Sequence, residues 1–261
     1  MTTATLERNP EIRGIPMPRV IGVELRKMFD TRSGFWLMSS IGIAAVLATV
    51  AVILFAPDSE LTYTTFATAI GFPIAIILPM VAILSVTGEW SQRTGLTTFT
   101  LVPHRGRIVL AKAVASVGIG VLSMLLAFGV GAAGTVVGSA IAGVDQTWNA
   151  TIMDLAYIVF ANVLGLLIGF MLGVLIRNSA GAIVAYFVYS FVQPTIFMLL
   201  ASSQSWFEKL QPWVDFNYAS SALFNGSLTG AQWAHLGVTG ILWLILPMAA
   251  GIVMVMRSEV K

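Results

Sequence analysis

Along most of the chain the apolar positions do not alternate with polar ones. They run together in six long stretches separated by short polar breaks. At 1.5 Å per residue, about 20 apolar residues cross a hydrocarbon core of roughly 30 Å. Each stretch therefore predicts one membrane-spanning helix. The first is Phe35–Phe55, followed by the acidic turn Ala56-Pro57-Asp58-Ser59-Glu60. The second is Thr64–Val86, with Pro73 and Pro79 inside it; neighbouring helices can satisfy the carbonyls such prolines free. The third, Ala113–Ile141, is long enough to tilt or to extend past the bilayer. After a turn at Gly143–Asn149 comes the fourth, Leu155–Ile176, and then the tight turn Arg177-Asn178-Ser179. The fifth is Ala180–Ala201, with Gln193-Pro194 near its middle. Ser202–Ala231 is a longer connection, and Gln232–Met256 is the sixth stretch.

Charge orients this layout. Of the 14 Lys and Arg residues, all but Lys209 fall before the first stretch, between the second and third, between the fourth and fifth, or after the sixth. Positive charge stays on the cytoplasmic side of a membrane, so both ends are expected in the cytoplasm. Composition agrees: 57% of residues are apolar and only 10% charged, against about 25% charged in a soluble domain. Such a chain has too few charges to cover a soluble surface. The first stretch is also too long for the roughly 7–15-residue apolar region of a secretory signal, so it is read as a retained span. The expected fold class is all-α integral membrane, with six transmembrane helices in one domain, 20–261, behind a flexible cytoplasmic tail, 1–19.

Three segments outside the spans carry pattern. In residues 20–32, Leu25, Met28 and Phe29, joined by Ile21, share one helical face among Glu24, Arg26, Lys27, Asp30 and Arg32. A basic amphipathic helix of this kind lies in the membrane interface; the plainer reading is a positive flank that sets topology. Segment 88–107 is the longest cytoplasmic connection; it holds the apolar residues Leu96, Phe99 and Leu101, and topology alone does not require Phe99 and Leu101. Segment 202–231 places Trp206, Phe207, Leu210 and Trp213 near helical spacing, which suits a short helix dipping into the outer interface. Gly165, Gly169 and Gly173 repeat every four residues on the fourth span, as Gly134 and Gly138 do on the third. Small residues at this spacing let helices or subunits approach closely.

Little points to chemistry on the chain itself. There is no cysteine, which removes disulfides, thiolate catalysis and Cys-ligated metals. The two histidines, His104 and His235, fall on opposite sides of the expected membrane, and no H-E-x-x-H, G-x-S-x-G or P-loop sequence occurs. No Asp, Glu, Lys or Arg sits at a span centre, which argues against a self-sufficient proton-driven pump. Asn162 and Gln193 are the main polar residues at depth, best read as interhelical hydrogen-bonding groups. No catalytic residue, metal site or cofactor is expected on this chain.

Two local patterns carry a family resemblance. One is Glu24-Leu25-Arg26-Lys27 leading into Thr31-Arg32-Ser33. The other is the inner segment from Glu89 to Lys112: an acidic residue, a Thr-Gly turn, an apolar stretch, a Pro-x-x-Arg-like step and a Lys at the head of span three. With the six-span layout, the chain resembles the permease subunits of ABC-2 type transporters, particularly actinobacterial ones of the drug- and antibiotic-export kind. The resemblance implies that residues 20–32 form a connecting helix and that Glu89, Arg93, Thr94, Gly95, Leu96, Phe99 and Leu101 belong to a segment coupled to a separate ABC ATPase. It implies that Glu89 sits at the inner gate and that 202–231 holds re-entrant helices. It places Phe72, Ile76, Met80, Gln193, Phe197 and Leu200 on the translocation path. ATP and Mg would bind the partner ATPase, and a second permease protomer would complete the transporter in the cell membrane. The alternative is a membrane scaffold or immunity-type protein with no ATPase partner.

Overall fold

The computed structural model describes residues 15–91 and 105–257, helical with no strand among them. Helix α1 is Met17–Asp30 and α2 is Arg32–Phe55. A short 3-10 turn, Asp58–Glu60, leads to α3, Tyr63–Ser91. Helix α4 is Arg105–Ala142 and α5 is Ile152–Ile176. Helix α6, Ser179–Ser203, contains a π-helical segment at Val188–Val192. Two short helices follow, α7 at Ser205–Val214 and α8 at Phe216–Ser221. Helix α9, Gly230–Arg257, contains a second π segment at Ile241–Ile245. Six helices, α2 to α6 and α9, are long and apolar enough to cross a membrane, so the chain is built as a multi-pass membrane protein.

The spans lie close to their expected positions, with α4 starting eight residues before the expected Ala113, so that Lys112 falls inside a helix. The first helix starts at Met17, within the expected tail. Arg105 Nη1 donates to the carbonyl of Val255, 3.1 Å, and Arg107 Nη2 to that of Ile15, 2.6 Å. These bonds bring the first and last described residues to one end of the bundle, called here the terminal end. An arginine on a C-terminal carbonyl also satisfies an acceptor that the end of α9 leaves unpaired.

Helix α3 is the hub of the core. Its Ile70, Ile74, Leu78, Ala82 and Val86 are buried one turn apart against α2, α4 and α5. Ile83 belongs to a second cluster that joins α5 and α6 to α8, Leu223 and Leu236. The close α3–α5 approach depends on glycine. A Cβ on Gly169 would lie 2.8 Å from both the Cβ and the carbonyl oxygen of Pro79, and one on Gly173 would meet Ile83 and Val86. Gly165, the third of the set, has nothing within 4 Å. On α4, Gly134 and Gly138 approach Phe66 in the same way.

Turn chemistry closes the ends. Thr151 and Asp154 form a reciprocal capping box that opens α5, and Thr229 with Gln232 does the same for α9. Arg177 ends α5 in the left-handed region, φ 56°, and Asn178 immediately caps α6 by accepting from Gly181 N. Away from the terminal end, Tyr63 N donates to Thr147 O and Thr64 N to Asn149 Oδ1, so the loop before α5 caps the start of α3.

Prolines inside the spans leave carbonyls that other elements fill. Pro79 has no N–H for Ala75 O, four residues before it. The Tyr186 hydroxyl of α6 donates to that carbonyl at 3.3 Å. In α6, Gln193 N donates to Val188 O, the i to i+5 register of a π-helix. The next donor in that register would be residue 194, a proline, so Tyr189 O is left without one. Asn217 Nδ2 of α8 donates to it at 3.1 Å. Helix α6 otherwise holds few fully buried residues. About 6% of the residues in its most apolar window are fully buried, against 50% for α5, and the other positions divide between half-buried and exposed.

Candidate functional site

The terminal-end turn of α3 gathers buried charge. Glu89 lies two turns below Ala82 on α3, and α1 and α4 bring Glu24, Lys27 and Lys112 against it. Lys112 Nζ donates to Glu24 Oε2 and to Ser85 O at 2.9 Å, and lies 3.3 Å from Glu89 Oε1. Its ammonium thus has two hydrogen-bond acceptors and a second carboxylate in ion-pair contact. Lys27 Nζ donates to Glu24 Oε1 at 2.7 Å and to Glu89 Oε1 at 3.3 Å. The side chains of Glu24, Glu89 and Lys112 are 4–7% exposed, while that of Lys27 is 43% exposed. Two carboxylates and two ammonium groups make a neutral quartet. Charge removed from water survives only when paired and hydrogen-bonded in this way.

Local sequence explains the assembly. Val20, Glu24 and Met28 recur every four residues and form the buried stripe of α1. Met28 packs on Ala115 and Ile119 of α4, with Ile21 and Leu25 beside it. The stripe differs from the expected membrane face: Phe29 is 50% exposed, and a glutamate holds the centre of the buried side. Packing against α4, one turn from Lys112, places that glutamate inside.

The same end of α3 grips two more helices. Ser85 Oγ and Ser116 Oγ of α4 are 3.1 Å apart. Thr87 Oγ1 donates to Ile83 O and shares a 2.8 Å bond with Ser179 Oγ at the start of α6. Residues 85 and 89 face α1 and α4, and residue 87 faces α6. Three polar residues, two apart, therefore fasten α3 to α1, α4 and α6. A cavity of about 10 Å³ lies beside Glu89 and Lys112, lined mainly by Val86, Trp90, Ile108, Val109 and Phe170. It has room for about one water.

Burial opposes the charge on Lys27, but its bonds to Glu24 and the fields of Glu24 and Glu89 outweigh that and hold its ammonium above the ordinary 10.5. A raised folded value means the stabilisation is complete below about pH 10.5 and is lost only as pH climbs through it.

Of the other expected site residues, Arg93, Thr94, Gly95, Leu96, Phe99 and Leu101 lie outside the described residues. The path candidates lie on α3 and α6. Phe72 is exposed, and Ile76 and Met80 are half-buried on α3, which packs on the first part of α6, Ser179–Phe187. Gln193, Phe197 and Leu200 are half-buried on the later part of α6, where Phe197 meets Phe207 of α7 with ring centres 5.3 Å apart.

Gln193 instead joins a second polar cluster. Its Nε2 donates to Asp215 Oδ1 at 3.2 Å, and Gln211 Nε2 donates to Asp215 Oδ2 at 3.1 Å. Tyr218 N also donates to Asp215 Oδ1, and Asn217 Nδ2 donates to Gln193 Oε1 at 2.8 Å. Asp215 is 1% exposed. Asn162, the other polar residue expected at depth, donates to Ile158 O within its own helix.

Sequence reasoning missed Glu24 and Asp215 as buried groups. The signal for Glu24 was its fourfold spacing with Val20 and Met28; Asp215 carried none beyond its place before Phe216. Among the described residues no group of three or more His, Cys, Asp or Glu could hold a metal. No protein-family model matches the chain, and no curated protein matches it.

Proposed function

We propose that the chain is the membrane-spanning permease subunit of an ATP-driven ABC-2 type exporter. It moves an apolar or amphipathic substrate across the cytoplasmic membrane with energy from a separate ATPase, which holds ATP and Mg. The terminal end is cytoplasmic in this reading, and a second permease protomer completes the pathway. The observation that carries it is the fastening of the last two turns of α3 to α1, α4 and α6 through Ser85, Thr87 and Glu89. Segment 92–104 follows those turns directly in the chain.

The mechanism follows from that junction. A displacement delivered to segment 92–104 reaches Ser85–Glu89 first. Three helices are tied to those residues by hydrogen bonds or ion pairs, so they move with α3 as a body rather than bending separately. Packed helices switch between discrete arrangements in this manner. The neutral quartet suits the task, since its charges are paired among themselves and ask nothing of lipid. The exposed apolar residues of α6, among them Val184, Val188, Ile196 and Leu199, supply the surface for the second protomer or for the substrate.

The test is ATP hydrolysis by the partner ATPase reconstituted in vesicles with this chain. Phe99→Asp or Leu101→Asp is expected to abolish the stimulation the wild-type chain gives. Undiminished stimulation in both variants would remove the docking role from that segment.

A further inference from the structure

The two π segments of α6 and α9 meet the same elbow. Each is followed by a residue and then a proline: Val188–Val192, Gln193, Pro194 in α6, and Ile241–Ile245, Leu246, Pro247 in α9. Tyr189 and Trp243, one in each segment, pack with ring centres 5.7 Å apart. Both segments bond to the junction of α7 and α8. Trp243 Nε1 donates to Val214 O at 2.7 Å, and Asn217 Nδ2 donates to Tyr189 O at 3.1 Å. π segments inside α-helices concentrate at functional sites.

We propose that Asn217 is a positioning residue that supplies the donor Pro194 lacks, and that the Val214–Asn217 elbow is thereby a clasp on the π segments of α6 and α9. Tyr189 O sits where a π-register backbone donor would come from position 194, and proline has none. An unfilled carbonyl in an apolar setting carries the full cost of its lost hydration. Asn217 has two amide hydrogens and uses both, one on Tyr189 O and one on Gln193 Oε1. Gln193 in turn donates to Asp215, the N-cap of α8, which also receives Gln211 of α7 and the Tyr218 amide. Asp215 thus fixes the helix that carries Asn217. The same solution appears once more in this chain, where Tyr186 fills the carbonyl opposite Pro79.

The clasp is tested without transport, by hydrogen exchange on the full chain in detergent micelles. Asn217→Ala is expected to speed exchange across Val188–Val192 on the order of fivefold, the effect of one lost hydrogen bond. In a Pro194→Ala background, where a backbone N–H is restored, the same substitution is expected to change exchange there little. A Pro247→Ala background, which restores a donor only in α9, should leave the fivefold effect intact. Should Pro194→Ala fail to fold, Pro194→Ser restores the same N–H. An equal effect of Asn217→Ala with and without Pro194, or no effect with Pro194 present, would overturn the clasp.

Discussion

Lys112 is buried two turns into α4, and it stands only because Glu24 and Ser85 O accept its hydrogens and Glu89 Oε1 lies 3.3 Å from its Nζ. Removing one partner of a buried ion pair strands the others, at a cost of about 3–5 kcal/mol. Lys112→Met is therefore expected to lower stability by about that amount, read by thermal or denaturant unfolding in detergent. Lys112→Met combined with Glu24→Gln leaves Lys27 and Glu89 as a neutral pair, and it should lose less than Lys112→Met alone. Equal losses would mean the quartet does not act as a unit. The sequence made these residues visible one by one but not as a group. A lysine near the head of a span ordinarily reaches back to the interface, so Lys112 read as a flank. Only the docking of α1 on α4, set by Met28 against Ala115 and Ile119, turns it into an interior residue.

Between elements, the glycine spacing and the prolines decide how closely helices pass. The fourfold repeat on α5 pointed to an interface, and the contact it makes is within the chain, between α5 and α3. It is also uneven, because a Cβ on Gly165 would meet nothing within 4 Å. Gly169→Ala drives a methyl into Pro79 and is expected to cost about 1–3 kcal/mol, as overpacking does. Gly165→Ala is expected to fall within about 0.5 kcal/mol of wild type. Matched unfolding curves of the two variants check this; equal destabilisation would contradict the α3–α5 seam described here. The π segments were not legible beforehand. Gln193-Pro194 and Leu246-Pro247 announce a disturbed helix, but whether the chain answers with a kink or an added residue per turn depends on neighbours such as Asn217 and Val214. The same holds for Gln193: its polarity at depth was plain, and its partners in α7 and α8 were not.

At the scale of the whole molecule, six apolar stretches read as six spans and fold as six helices of nearly those bounds. Hydropathy is legible because each stretch must satisfy its backbone internally whatever surrounds it. The arrangement of those helices was not legible, since it turns on side-chain contacts between residues far apart in sequence, as between Lys27 and Glu89. The resulting shape has α3 at its centre, fastened at the terminal end, while α6 carries few fully buried residues. Such an asymmetry suits a subunit that receives a push near α3 and completes its pathway against another chain at α6. The most direct measurement is purification of the tagged full-length chain from its own host in mild detergent, with stoichiometry and ATP hydrolysis read on the purified complex. The account predicts a P-loop ATPase in equimolar amount that hydrolyses ATP. A chain that purifies alone under several mild conditions, with no ATP hydrolysis, would contradict the exporter reading and favour a scaffold.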